Sequence, residues 1–180
     1  TYSVQPGAFY VLSVAMDQIV TRIALMDLNN KPVTPIKKVE LPLTNNPEAI
    51  LQLVKNMTSV INESGIDREK IIGAGIGMPG FVDFNKGVNY SFLHSGHKTV
   101  TEYLSEELGL PVYIDNDSSL IALAEFRFGA ARQKKNAIVI NIGWGIGLGM
   151  ILNEGLFRGT EGFAGEFSHI PLFNNNKLCS

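Results

Sequence analysis

The stretch KIIGAGIGM (70–78) constrains the fold of this chain more than any other. After Lys70 it contains no polar side chain, and its apolar residues do not alternate with polar ones. A strand of that kind suits the middle of a sheet covered on both sides. Its neighbours agree. Upstream, FYVLSVAM (9–16), VTRIALMDL (20–28) and PVTPIKKVEL (32–41) read as three strands joined by short turns. The segment 46–65 then reads as a helix, with Asn46 as a cap, Pro47 at its first position and Gly65 at its exit. Downstream, 99–109 is a second helix, with Thr99 and Glu102 spaced as a capping box and Gly109 as its stop. LPVYID (110–115) is another strand. SSLIALAEFRFGA (118–130) is a third helix, apolar nearly all round and so expected to be buried.

The order is strand, strand, strand, helix, strand, helix, strand, helix. An antiparallel start followed by crossovers gives an α/β fold, a mixed sheet flanked by helices. NAIVINIG (136–143) and GLGMILNEGLFRG (147–159) then open another strand pair, turning at Asn153, Glu154 and Gly155. The first unit opened in the same way, so a second, similar lobe is expected to begin near 131–136. The chain has 180 residues, 45% of them hydrophobic and 18% charged, with a formal net charge of −2. Its densest cationic cluster, Arg132, Lys134 and Lys135, reads as solvated surface and not as a nucleic-acid face. No apolar run reaches transmembrane length. The single cysteine, Cys179, rules out an internal disulfide framework and fits a reducing cytoplasm.

Three stretches carry candidate chemistry. GIGMPG (75–80) satisfies G-x-G-x-x-G, but a dinucleotide fingerprint needs a helix starting inside the glycines, and Pro79 interrupts one here. The glycines either let backbone approach a small ligand or make a tight turn without function. In YIDNDSS (113–119), Asp117 or Ser118 caps the helix, or Asn116 and Asp117 hydrogen-bond a polyol, with the carboxylate near a hydroxyl as a general base. In GEFSHIPLFNNNKLC (165–179), Glu166, His169 and Cys179 are either a coincidence or a source of two metal ligands, too few for a closed zinc site.

GAGIGMPGFVD, VYIDND, NIGWGIGLGMILNEGLFRG and GFAGEFSHIPL resemble, in this order and at similar spacing, segments of the ROK family. That family comprises sugar-responsive repressors and sugar kinases on the actin/hexokinase (ribonuclease-H-like) fold. The resemblance implies that Asn116 and Asp117 bind sugar hydroxyls, with Asp117 at the position of the kinases' catalytic base. It implies that Glu166, His169 and backbone near Gly80 contact the sugar. His169 would also be a zinc ligand, and Cys179 the first of three zinc cysteines, the other two falling beyond Ser180. Ser168 stands where a glycine usually precedes the histidine.

Two segments of the kinases handle phosphate, and both depart here. The first resembles D-x-G-G-T. Aligned without gaps, Ala15 replaces the aspartate and Asp17 and Gln18 replace the glycines; shifted by two, Asp17 and Thr21 survive while Ile19 and Val20 replace the glycines. Either way the loop fails, since a carboxylate repels phosphate and β-branched residues crowd its approach. The second resembles G-T-G-I-G-x-G. Gly143, Gly145 and Gly147 are kept, but Trp144 replaces the threonine, with no hydroxyl and a bulk that fills the space of a phosphate. Trp144 is expected to plug the cleft or pack between lobes. The resemblance therefore implies a sugar-responsive repressor more than an enzyme; ATP and magnesium would enter only for a kinase, and a scaffold without ligand is a third reading. TYSVQPGAFYV resembles the connector that follows a winged helix-turn-helix in the repressors. The expected organisation is a linker at 1–10 after a DNA-binding domain, a first lobe at 11–133, and the beginning of a second at 134–180. Operator DNA and a second copy of the chain are the implied macromolecular partners.

Overall fold

The computed structural model describes residues 5–166. They form two compact units, one ending at Asp117 and the other starting at Ser118.

The first unit is built on a five-stranded mixed sheet of order β3-β2-β1-β4-β7. Its strands are β1 (Tyr10–Met16), β2 (Val20–Asp27), β3 (Lys37–Glu40), β4 (Ile71–Met78) and β7 (Val112–Asn116). The first three are antiparallel, whereas β4 runs parallel to β1 and β7. The apolar strand is therefore interior in strand order, with Ile71, Ala74, Ile76 and Met78 buried, but it is not covered throughout, since Ile72 is exposed among the described residues. Helix α1 (Ala49–Glu63) packs on β2, and α2 (Val100–Leu108) on β7. Leu53, Met57 and Leu104 complete a core with Leu12, Ile23 and Leu25. A two-stranded ribbon, β5 (Val82–Asp83) and β6 (Val88–Asn89), hangs from the end of β4.

Several local expectations hold and others do not. Thr99 and Glu102 form the capping box, and Gly109 ends α2 in the left-handed region. By contrast, α1 begins at Ala49 and is preceded by Glu48, which makes no side-chain cap. Asn46 instead closes a turn ahead of the helix, its Oδ1 accepting the Glu48 N–H at 3.2 Å. The third strand is also shorter than its apolar pattern. Pro32 and Pro35 lack N–H groups, so 32–36 joins β2 only through a bridge from Pro32 to Met26 and the Thr34 hydroxyl, which accepts the Leu25 N–H.

The second unit carries an antiparallel sheet of order β10-β9-β8, made from β8 (Ala137–Ile142), β9 (Ile146–Leu152) and β10 (Gly155–Phe157). Asn153 and Glu154 both take positive φ, the geometry of a two-residue hairpin turn. Helix α3 (Asp117–Phe128) spans the division between the units. Only Ser118 and Ala122 of this helix are buried, so its apolar periphery does not make it an interior helix in the described chain. Among the described residues no helix is long and apolar enough to cross a membrane.

Candidate functional site

The strand end at β4 is turned by Met78-Pro79-Gly80-Phe81. Gly80 has φ of +95°, and a Cβ there would lie 2.7 Å from the Ser91 Cβ, so both backbone and space demand glycine. The turn is tied down from three directions. Asn116, the last residue of β7, donates from Nδ2 to the Gly80 carbonyl at 3.3 Å. The Phe81 N–H donates to the Ser91 hydroxyl at 3.0 Å, and the Tyr90 N–H to the Phe81 carbonyl at 2.8 Å. Asn89, buried in β6, donates from Nδ2 to the Pro79 carbonyl at 3.0 Å. Two strand ends thus bring Gly80 and Asn116 together, at the carboxyl edge where α/β sheets present ligand sites. Asp117 follows directly as the first residue of α3, and both Asn116 and Asp117 are half-buried. Nothing in the local sequence marked Asn89; a lone asparagine in GVNYSF reads like any turn residue.

Glu166 belongs to the second unit, half-buried, with its N–H donated to the Phe163 carbonyl at 3.1 Å. His169 and Cys179, the expected metal ligands, lie outside the described residues. Among the described residues no three His, Cys, Asp or Glu side chains gather into a metal-holding group. His94 and His97 are exposed.

The two phosphate-type segments are both hairpin turns. Between β1 and β2, Asp17 folds its carboxylate back over the turn: Oδ1 accepts the Ile19 N–H at 2.8 Å and the Val20 N–H at 2.6 Å. Arg22 lies 3.5 Å from the other carboxylate oxygen. Burial pushes the Asp17 carboxyl up, but the amides of Val20 and Ile19 and the Arg22 guanidinium outweigh it and hold it below its ordinary range. The Ile19 and Val20 amides are therefore already bound to an anion of the chain itself. The Gln18 and Ile19 carbonyls accept the N–H groups of Leu43 and Leu41. Thr21, next in line, is fully buried, and its hydroxyl has no hydrogen-bond partner among the described residues.

Between β8 and β9, the alternate glycines divide into two pairs. A Cβ on Gly147 would fall 1.9 Å from the Ser118 hydroxyl oxygen, and one on Gly149 2.3 Å from the Ala122 Cβ. Those two glycines let β9 lie against α3. Among the described residues nothing lies within 4 Å of such an atom on Gly143 or Gly145. Trp144 stands between them at the turn, 70% exposed.

A mixed sheet opened by an antiparallel hairpin, with a second hairpin unit following, defines an actin/hexokinase-like fold. The chain belongs to the ROK family, whose model matches residues 12–180. A glucokinase of Halalkalibacterium halodurans is 34% identical over 76% of this chain and 43% of its own length. A xylose repressor of Bacillus subtilis is 31% identical over 76% of this chain and 36% of its own. Among solved structures, a ROK family glucokinase from Streptomyces griseus in complex with glucose and AMPPNP superposes with a TM-score of 0.71 at 27% identity, over 89% of this chain and 50% of that one. The chain spans about two fifths of the length of the curated relatives it matches.

Proposed function

We propose that this chain is the effector-binding region of a ROK-type transcriptional repressor that responds to a sugar or sugar derivative. The observation that carries this reading is the β1–β2 turn, where the Asp17 carboxylate occupies the Ile19 and Val20 amides. Phosphoryl transfer depends on positioning and charge neutralisation, and a carboxylate in the phosphate seat opposes both. Trp144 stands in place of a threonine in the second seat, offering an indole N–H but no hydroxyl, and a larger bulk.

The sugar-facing half keeps its parts. In this reading Asn116 and Asp117 hydrogen-bond sugar hydroxyls, the Gly80 backbone lies beside them, and Glu166 and His169 complete the set. His169 and Cys179 contribute to a zinc site together with further cysteines. The organisation is a linker at 1–10, a first lobe at 11–133 and the start of a second at 134–180. Operator DNA is read by a helix-turn-helix domain ahead of the linker, in a homodimer whose two-fold axis matches paired half-sites. Sugar binding favours one lobe arrangement and shifts the population of DNA-competent dimers.

A second reading, an ATP-dependent sugar kinase with Asp117 as base, is favoured by the open backbone at Gly143 and Gly145. A coupled ADP-release assay on the full-length protein, with D-glucose and D-xylose in the panel, separates the two. The repressor reading expects sugar binding by calorimetry without turnover. Turnover above about 1 per second, ordinary for a sugar kinase, would overturn it.

A further inference from the structure

Asn89 is only 5% exposed and uses both ends of its amide. Nδ2 donates to the Pro79 carbonyl at 3.0 Å and meets the Met78 Sδ at 3.1 Å. Oδ1 accepts the N–H groups of Ser91 at 2.9 Å and Phe92 at 3.0 Å. One side chain therefore joins the segment leaving β4 to the segment leaving β6. These are the two strips of backbone that meet around Gly80: Ser91 receives the Phe81 N–H and abuts the Gly80 Cα, while Phe92 packs against the same point. The far end of the turn is held by Asn116. A buried amide can satisfy a carbonyl on one side and two N–H groups on the other because it carries a donor and an acceptor on one rigid plane. An apolar residue here would leave all three backbone groups without partners.

We infer that Asn89 is the positioning residue of the sugar turn: it fixes where the Gly80 carbonyl and Phe81 amide stand relative to Asn116, and so sets sugar affinity without touching the sugar. The inference rests on the sugar-site reading above. It separates Asn89 from a residue that merely stabilises the first unit, because the groups it fixes lie at the ligand side of the turn. A displacement of that turn by about 1 Å is enough to cost two orders of magnitude in a process that depends on alignment.

The test uses the full-length protein with D-glucose and D-xylose as probes. Asn89→Asp keeps the acceptor for Ser91 and Phe92 but sets a carboxylate oxygen against the Pro79 carbonyl. Asn89→Ser is neutral and too short to reach Pro79, which keeps the test open if the aspartate variant does not fold. Titration calorimetry is expected to give at least a tenfold weaker Kd for each folded variant, at a temperature where all proteins are folded. The 15N-labelled amide signals of Gly80 and Phe81 are expected to shift before sugar is added. Thr99→Ala, which removes a helix cap elsewhere in the first unit, is expected to bind as wild type does. Wild-type binding with variant affinities within twofold would overturn the positioning role alone, and so would equal weakening by Thr99→Ala. Absence of binding by the wild type would overturn the sugar-site reading and this inference with it.

Discussion

Replacing Asp17 by alanine tests the turn on which the functional reading rests. The carboxylate accepts two backbone N–H groups, at 2.8 and 2.6 Å. Side-chain oxygens that cap backbone amides in this manner are worth about 1 kcal/mol each, so the pair contributes about 2 kcal/mol. The ion pair to Arg22 adds only about 0.3 kcal/mol, since the Arg22 and Asp17 side chains are 49% and 38% exposed and solvent screens them. Asp17→Ala is therefore expected to lower stability by about 2 kcal/mol, or about 4–8 °C in Tm for a chain of this size. Urea unfolding followed by far-UV circular dichroism, wild type beside variant, measures it. The pH dependence has a definite sign. The folded carboxyl titrates below its unfolded value of 3.8, so the charge's contribution is complete above that value and is lost as pH falls through the folded one. The gap between wild type and Asp17→Ala should stay flat from about pH 5 to about pH 8 and close below about pH 4. Asp17→Asn, which keeps an acceptor but no charge, should cost about half as much, and its gap from wild type should close over the same acid range, because protonation of the wild-type carboxyl causes the closure. A cost under about 0.5 kcal/mol at neutral pH, or a gap that widens in acid, would refute the argument that this carboxylate fills the turn.

Thr21→Val is expected to stabilise the protein by about 1 kcal/mol, because it removes a fully buried hydroxyl that lacks a partner among the described residues; differential scanning calorimetry reads the gain. Gly149→Ala should cost more than about 2 kcal/mol, since its Cβ would meet the Ser118 carbonyl oxygen at 2.6 Å as well as Ala122. Gly143→Ala, with open space around it, should stay within about 0.5 kcal/mol of wild type, and the contrast in Tm between the two variants checks the division of the glycines. Thr99→Ala should lose about 1 kcal/mol through the capping box, read by urea unfolding.

What sequence made legible was what short-range chemistry decides. IIGAGIGM read as an interior strand because it is apolar throughout, although Ile72 is left 49% exposed, and Thr99 with Glu102 had to start a helix because each satisfies the other's backbone amide. The cap at Asn46 failed for a reason of the same range: an asparagine two residues ahead of an acceptor-poor N–H closes a turn as readily as it caps, and spacing does not distinguish the two. The periphery of α3 misled because apolar content reports what a helix can bury, while only Ser118 and Ala122 are covered among the described residues. The site itself depends on pairings across long gaps. Gly80 and Asn116 are joined by the parallel register of β4 and β7, and Asn89 acts on Pro79 through a ribbon whose strands have two residues each. No local pattern encodes those meetings.

In the proposed reading the sugar-type and phosphate-type segments stand on different elements, so that one can change without the other. Gly80 and Asn116 stand at the ends of β4 and β7, fixed by hydrogen bonds among residues 78–92 and 116. The β1–β2 turn draws its bonds from Asp17 and from Leu41 and Leu43, none of which bonds to the sugar turn in those contacts. A substitution that fills the first hairpin with a carboxylate therefore removes no hydrogen bond of the second group. At β8–β9 the separation runs between strand and turn: Gly147 and Gly149 of β9 lie against α3, whereas among the described residues nothing approaches a Cβ built on Gly143 or Gly145 in the turn, so Trp144 can change the chemistry of the turn without disturbing the packing behind it.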